Sequence, residues 1–260
     1  MSAADRVRRI MAREVLEQRR QPVMLWTIGI LFLLVDALGL AATMLLDALL
    51  ADPDMAATLA TFAGEGLLEQ IPSLQDGVLV TTVFLGVSQY LGVCAVLAGH
   101  GMLHERQCGT LTFLLLAPVR RLELLVGKVA GALALPTVLY LVTAGLTSVL
   151  ISGSDAAARA PWFAFPHPSW ILGIGLAGPS WTLACASACT LISAHTSDVR
   201  TAQQGVWLLV FFATVALGPL LTATLPSGTG IQLVSVAAGG LASATLLYTG
   251  ALLTRRDLSS

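Results

Sequence analysis

Residues 101–128 read GMLHERQCGTLTFLLLAPVRRLELLVGK. The stretch joins two apolar runs, at about 77–100 and 127–151. A helix needs about 20 mostly apolar residues to cross a hydrocarbon core of roughly 30 Å. Each run is that long and charged residues collect between them. We therefore expect two membrane-spanning helices joined by a charged connector at one membrane surface.

Composition places the whole chain in a membrane. Hydrophobic residues make up 56% of the sequence, charged residues only 11%, and the mean hydropathy is +0.82. A soluble domain carries about 25% charged residues, so this chain has too few to cover a water-facing surface. The formal net charge is −1, which offers no basic field for nucleic acid. We expect lipid around the protein and no nucleic-acid partner.

Apolar runs predict a single all-α transmembrane domain over residues 1–260, with six membrane-spanning helices. The six runs lie at about 23–46, 77–100, 127–151, 169–193, 206–225 and 231–253. Only a turn with one proline and two glycines, residues 225–230, separates the last two. A single broken hairpin that does not fully cross is the alternative for that pair.

Positive charge sets the orientation. Thirteen of the fourteen Lys and Arg residues fall before the first run, after the second or fourth, or beyond the sixth, and only Arg159 falls on the other side. Segment 47–76 carries six acidic residues and no basic one. Lys and Arg accumulate in cytoplasmic loops. We therefore expect a multi-pass protein of a bacterial-type cytoplasmic (inner) membrane, with both termini in the cytoplasm.

The segment before the first apolar run is expected to form an amphipathic helix over residues 5–20. Val7, Ile10, Met11 and Val15 share one helical face and arginines cover the rest. Such a helix lies in the membrane interface. The alternative is a charged tail that only sets orientation.

Motifs for catalysis or for holding a cofactor are missing from the sequence. The glycine-rich nucleotide motif ending in Gly-Lys-Ser/Thr does not occur, because Val129 follows Gly127-Lys128. The chain is therefore not expected to be an enzyme, and its catalytic, metal and cofactor sites are predicted as none. His100 with His104, and Cys185 with Cys189, have ligand-like spacing, but we interpret them as interfacial and packing residues. Gly178-Pro179 is expected to bend a packed helix.

One acidic residue lies deep in the first apolar run. Asp36 follows Pro22 by 14 residues, about 21 Å along a helix. An ionisable side chain at that depth is costly, and it normally faces a bundle interior or a wet cavity. Ser88, Gln89 and Tyr90 in the second run are plausible partners. Asp36 and Gln89 are therefore candidates for a substrate path, and a hydrogen bond between neighbouring helices is the alternative.

The connector is expected to contain a short cytoplasmic helix. Gly109 and Thr110 begin it, Leu111 and Leu114 share its apolar face, and Pro118 ends it because proline cannot continue the hydrogen-bond ladder. A short amphipathic helix bracketed by charges suits docking into a groove of a soluble partner. A helix that rests on lipid is the alternative.

The connector also resembles a family signature. Glu105, Gly109-Thr110-Leu111, Leu114-Leu115, Pro118, Arg121, Glu123-Leu124 and Gly127-Lys128 are similar to the E…GTLE-LL…P…R…EL…GK pattern of ABC-2 type permeases, the membrane subunits of ATP-driven exporters. The resemblance extends along the whole chain, with an interface helix, six spans and an arginine-rich tail. Thr112 departs from the pattern, which usually has glutamate there.

This resemblance implies an architecture and a set of partners. Two permease copies, here as a homodimer, would pair with two cytoplasmic ATPase subunits that bind ATP and Mg, and the connector would be the coupling helix within a coupling region at 104–124. The residues that would contact or follow the ATPase are Glu105, Gly109, Thr110, Leu111, Leu114, Pro118 and Arg121.

Three classes of alternative function stay open. The first is a specialised permease. The acidic outer segment resembles that of permeases serving nitrous-oxide reductase copper maturation, where ATPase motion acts on an extracytoplasmic partner, and a haem-exporter-like permease is another relative. The second class is a membrane anchor or assembly factor without an ATPase. The third is an ion-coupled carrier in which Asp36 binds the ion.

Overall fold

The fold is all-helical, as predicted. In a computed structural model, the described residues are 2–20, 22–54, 58, 81–82, 84–99, 101, 104–105, 108–109, 120–153, 170–195, 201, 204–205, 207–212, 215 and 229–256, and none of them is in a β-strand. The longer helices are α1 (Ala3–Arg19), α2 (Pro22–Ala51), α3 (Phe84–Gly99), α4 (Arg121–Ser152), α5 (Gly178–His195) and α6 (Thr229–Arg256). A π-helical segment, Ile171–Ala177, runs directly into α5.

Three stretches among the described residues are long and apolar enough to cross a membrane. They are Pro22–Leu45, Leu122–Ser152 and Ile171–Ser193, and α3 is a shorter apolar helix. These four correspond to the first four predicted runs. The run at 231–253 lies within α6, whereas most of the run at 206–225 and the turn before α6 lie outside the described residues.

Helix α1 begins with a capping box. The Ser2 hydroxyl accepts a hydrogen bond from the Asp5 amide at 3.2 Å, and the Asp5 carboxylate accepts one from the Ser2 amide at 3.3 Å. These two bonds satisfy amide groups that a helix start leaves free. Val7, Ile10, Met11 and Val15 are all half-buried, which confirms the predicted face. Much of that face packs on the first part of α4, and its position in a membrane interface stays a prediction.

The core lies where α2, α3, α4 and α5 meet. Phe32, Tyr90, Val129 and Ala186 are representative, each with no more than 2% of its surface exposed. Many buried serine and threonine hydroxyls donate to the carbonyl four residues earlier in their own helix, as Ser148 does to Ala144. These bonds satisfy the hydroxyls without water.

Two prolines shape the spans. Pro136 is buried inside α4, where it removes one backbone hydrogen bond. Pro179 has no amide proton to donate, and the Gly178 amide donates to the carbonyl of Gly173, five residues back rather than four. A π-helical turn therefore precedes Gly178-Pro179, and the bend predicted there stays a prediction. Boundaries also differ from expectation, because α2 extends to Ala51 rather than ending near 46.

Candidate functional site

A buried lysine joins three parts of the protein at the predicted cytoplasmic end. The Lys128 Nζ of α4 lies 2.8 Å from Glu14 Oε1 of α1 and 2.7 Å from Glu105 Oε2, where the connector begins. The Lys128 residue is 6% exposed and Glu105 is 8% exposed. A buried ammonium is costly unless it is paired, and here two carboxylates flank it. We call Glu14, Glu105 and Lys128 the inner joint.

A second ion pair fixes the other end of α1. Arg6 Nε donates to Glu123 Oε2 at 2.7 Å and Arg6 Nη2 donates to Glu123 Oε1 at 2.8 Å. Two parallel bonds of this kind fix orientation as well as distance. The bond to Glu123 raises the pKa of Arg6 above its ordinary value. Glu123 also accepts a bond from the Arg120 amide and so caps the start of α4.

The backbones of α1 and α4 approach each other closely near these two ion pairs. A Cβ placed on Gly127 would come within 2.8 Å of Ile10 Cβ, and one on Gly131 within 2.5 Å of Glu14 Cβ. Gln18 Nε2 donates to the Gly131 carbonyl at 3.2 Å. The two glycines therefore let α1 lie directly against α4, and α1 is positioned by charges, packing and a hydrogen bond together.

The predicted coupling residues fall partly within this arrangement. Glu105 is part of the inner joint. Gly109 is exposed and has a φ of 70°, the left-handed conformation that glycine adopts without strain. Arg121 is the first residue of α4, and its side chain lies outside the described residues. Four predicted residues lie wholly outside them: Thr110, Leu111, Leu114 and Pro118.

Asp36 lies beside a small internal cavity. Its carboxyl is within hydrogen-bonding reach of the Thr143 hydroxyl, and one oxygen would be 3.5 Å from a Cβ on Gly86. The cavity measures about 20 Å³ and is also lined by Thr82, Tyr140 and Thr147. A cavity of about this size holds one water when polar groups line it. Asp36 thus faces the bundle interior, and its role in a substrate path stays a prediction.

The neighbours of Asp36 differ from those expected. Thr143 of α4 takes the place predicted for Ser88, Gln89 or Tyr90. Tyr90 instead stacks on Tyr140, with ring centroids 4.4 Å apart. Its hydroxyl lies 2.6 Å from the Thr137 hydroxyl, which donates to the Leu133 carbonyl, so Tyr90 is the donor to Thr137. The buried Gln89 amide has no hydrogen-bond partner among the described residues.

Sequence reasoning missed Arg6 and Glu14. Both lie on the apolar face of α1, where a membrane-interface helix would carry no charge, and the spacing of Arg6, Ile10, Glu14 and Gln18 places all four on one side. Polar residues at positions 6, 14 and 18 on an otherwise apolar face were the available signal. That signal does not name the partners, which lie more than 100 positions away in sequence.

The cysteines and histidines show no metal site among the described residues. Cys94, Cys185 and Cys189 are buried and free, and the last two pack against Leu91 and Val210. Cys108 is exposed, and its sulfur lies 3.8 Å from His104 Nε2. His100 lies outside the described residues.

Comparison with known proteins supplies one match. A family model described as "ABC-2 family transporter protein" matches residues 8–238, which includes the inner joint, Asp36 and the connector. No curated protein and no solved structure matches the chain.

Proposed function

Because the chain belongs to the ABC-2 family of transporter membrane proteins, we propose that it is the permease subunit of an ATP-driven exporter whose ATPase is a separate protein. The chain is a membrane-embedded transport component and not itself catalytic. Two copies would pair as a homodimer and bind two cytoplasmic ATPase subunits, which would hold the ATP and Mg. The protein would lie in a cytoplasmic membrane of bacterial type with both termini inside.

The inner joint is the observation that carries the proposal. A docked ATPase would push on the connector, whose first part contains Glu105. Glu105 is held to Lys128, and Lys128 to Glu14, at 2.7 and 2.8 Å. Movement of the connector would therefore shift α1 and α4 together. This supports an energy input from outside the chain at its cytoplasmic end.

Asp36 would lie along the path that this movement opens. Its cavity is bounded by α2, α4, Gly86 of α3 and Ile174 of the π-helical segment. A shift of α4 would change the distance between Thr143 and the Asp36 carboxyl. An ionisable group at this depth is by default a candidate functional residue, which supports a role in passing or sensing the substrate.

Co-purification tests the proposal. A tagged wild-type chain, gently solubilised with its neighbouring gene products expressed, is expected to retain an ATPase subunit. Leu114→Asp should abolish that association, because the variant would bury a charge in the docking groove. Thr112→Glu is the matched control: it adds the same charge to the same segment, but at the position where the family usually has glutamate, and should retain the ATPase.

Two results would contradict the proposal. If the wild-type chain retains no nucleotide-binding subunit, a membrane anchor or assembly factor becomes the better interpretation. If Leu114→Asp and Thr112→Glu retain the subunit equally, the connector helix is not the docking element.

A further inference from the structure

The side of α1 that faces away from α4 is rich in arginine. Arg6, Ile10 and Glu14 contact α4, so residues on the opposite side of the helix face outwards. Seven charged residues of segment 2–20 are exposed, and five of them are basic: Asp5, Arg8, Arg9, Arg13, Glu17, Arg19 and Arg20. None of these five arginines forms an ion pair with a described residue.

Three of the arginines share one face with an exposed leucine. Arg9, Arg13, Leu16 and Arg20 follow one another at steps of four, three and four residues, the spacing that aligns side chains along a helix. We call these four residues the arginine row. All four are exposed, Leu16 by 57%. Arg9 and Arg13 repel each other, because like charges four residues apart destabilise a helix. A negatively charged partner along the row would offset this repulsion.

The arginine row comes closest to the first span at its Arg20 end. Met24, near the start of α2, lines the same cavity as Lys128 and the last turns of α1. The C-terminal half of α1 is therefore level with the start of the α2 span. Arg6 instead pairs with Glu123, which precedes Lys128 by five residues and so lies roughly 8 Å farther along α4 from that level. The N-terminal half of α1 thus inclines away from the span.

The start of α2 has the character of a helix surrounded by lipid. Val23 and Trp26 are 78% and 72% exposed there, and tryptophan concentrates at the boundary between membrane and water. Phospholipid headgroups occupy that boundary and carry phosphate, which arginine binds through parallel N–H donors. Leu16 adds an apolar side chain that suits the same layer. Charge and position together therefore match the arginine row to lipid headgroups.

We propose that the arginine row binds the headgroups of anionic phospholipids in the leaflet at this end of the molecule. Basic clusters directly before a span attract anionic lipids, and the attraction falls off within a Debye length of the surface. Arg13 and Arg20 therefore contribute most, and Arg8, near the far end of α1, contributes least. Bound lipid would hold one side of α1 while α4 holds the other. The proposal depends neither on the solute moved nor on an ATPase.

Lipid competition in nanodiscs tests the proposal on the full chain. The discs contain equal parts of phosphatidylglycerol and phosphatidylcholine with the same acyl chains, and native mass spectrometry identifies the lipids that the released protein retains. The wild type is expected to retain phosphatidylglycerol in preference. Arg13→Gln combined with Arg20→Gln should reduce that preference roughly 10- to 30-fold, at about 5-fold for each arginine. Equal retention of the two lipids by the wild type overturns the proposal.

Matched variants locate the site. Arg8→Gln removes the same charge from an exposed position of the same helix, farther from the span, and should reduce the preference about 2-fold or less. Arg13→Lys combined with Arg20→Lys keeps both charges and should keep most of the preference. Melting temperatures close to that of the wild type are expected throughout, because the altered side chains are exposed.

Two outcomes of the variants contradict the assignment to the arginine row. If Arg8→Gln reduces the preference as much as Arg20→Gln alone, net charge and not the row attracts the lipid. If the double glutamine variant keeps the lipid preference of the wild type but loses a co-purifying ATPase, the row docks a protein instead of lipid.

Discussion

At the residue scale, Lys128 shows how a membrane protein tolerates a buried charge. Removing an ammonium from water costs several kcal/mol, and only close opposite charges offset that cost. Glu14 and Glu105 supply those charges from two other parts of the chain. The position of α1 is therefore coupled to the start of the connector through a single nitrogen atom.

Substitution of Lys128 should strongly destabilise the protein. Lys128→Met leaves two carboxylates with no cation between them, and we expect a loss of about 3–5 kcal/mol in stability. Thermal unfolding of the solubilised chain measures the loss. The triple variant that adds Glu14→Gln and Glu105→Gln removes the unpaired charges and should recover part of it. A melting temperature for Lys128→Met equal to that of wild type would show that the joint contributes nothing.

Asp36 makes a different prediction at the same scale. Asp36→Asn keeps the size of the side chain but removes its charge, so assembly should survive while transport falls roughly 10- to 100-fold, because the ionisable group beside the cavity is lost. ATP turnover of the reconstituted complex reports the transport cycle, and Asp52→Asn, exposed beyond the span, is the control. Wild-type turnover in Asp36→Asn would leave Asp36 with a packing role alone.

At the element scale, the contact between α1 and α4 depends on glycine. Gly127 and Gly131 face α1 with no room for a side chain, whereas Gly145, farther along the same helix, has nothing within 4 Å of its Cβ position. The same residue type thus has opposite roles in one helix. At Gly127 and Gly131 it permits contact, and at Gly145 it only weakens the helix.

This contrast gives a paired test. Gly131→Ala should destabilise the protein by about 1–3 kcal/mol through overpacking against Glu14, and should expose α1 to protease. Gly145→Ala should be neutral or stabilising by up to about 1 kcal/mol, because alanine favours helix. Melting temperature and the rate of proteolysis within α1 measure both effects. Equal effects of the two substitutions would mean that α1 does not lie on Gly131.

The elements were predictable where length and hydropathy decide them. Runs of about 20 apolar residues predicted α2, α4 and the Ile171–Ser193 span, and periodicity predicted α1 and its buried face. The pairing of Glu14 with Lys128 was not predictable, because hydropathy says nothing about which distant charges meet. Thr143 was missed for the same reason: its place beside Asp36 follows from the relative rotation of two helices, which no local pattern specifies.

At the scale of the whole molecule, the distribution of Lys and Arg predicts which end of the protein faces the cytoplasm. The inner joint and the start of the connector both lie at the end of the molecule where Lys and Arg concentrate. The orientation itself can be tested with a cysteine of the native chain, because Cys108 is exposed and the other three cysteines are buried.

A membrane-impermeant maleimide should therefore label Cys108 in inverted vesicles and leave the chain unlabelled in right-side-out vesicles. Cys108→Ser should abolish labelling, which assigns the signal to that residue. The measurement is the mass shift of the purified chain. Labelling from the outside would place the connector on the wrong side of the membrane for an ATPase to reach it.

The unbroken length of α4 has a mechanical consequence. From Lys128 to Thr143 it runs 15 residues, roughly 22 Å at 1.5 Å per residue, without leaving the helical conformation. As a stiff rod, it would convert each 10° of tilt at the inner end into about 4 Å of travel at Thr143. Pro136 lies near the middle of that length, and its missing amide proton removes one backbone hydrogen bond of the helix. If α4 bent at Pro136 instead of tilting as a whole, less of a movement at Lys128 would reach Thr143 and Asp36.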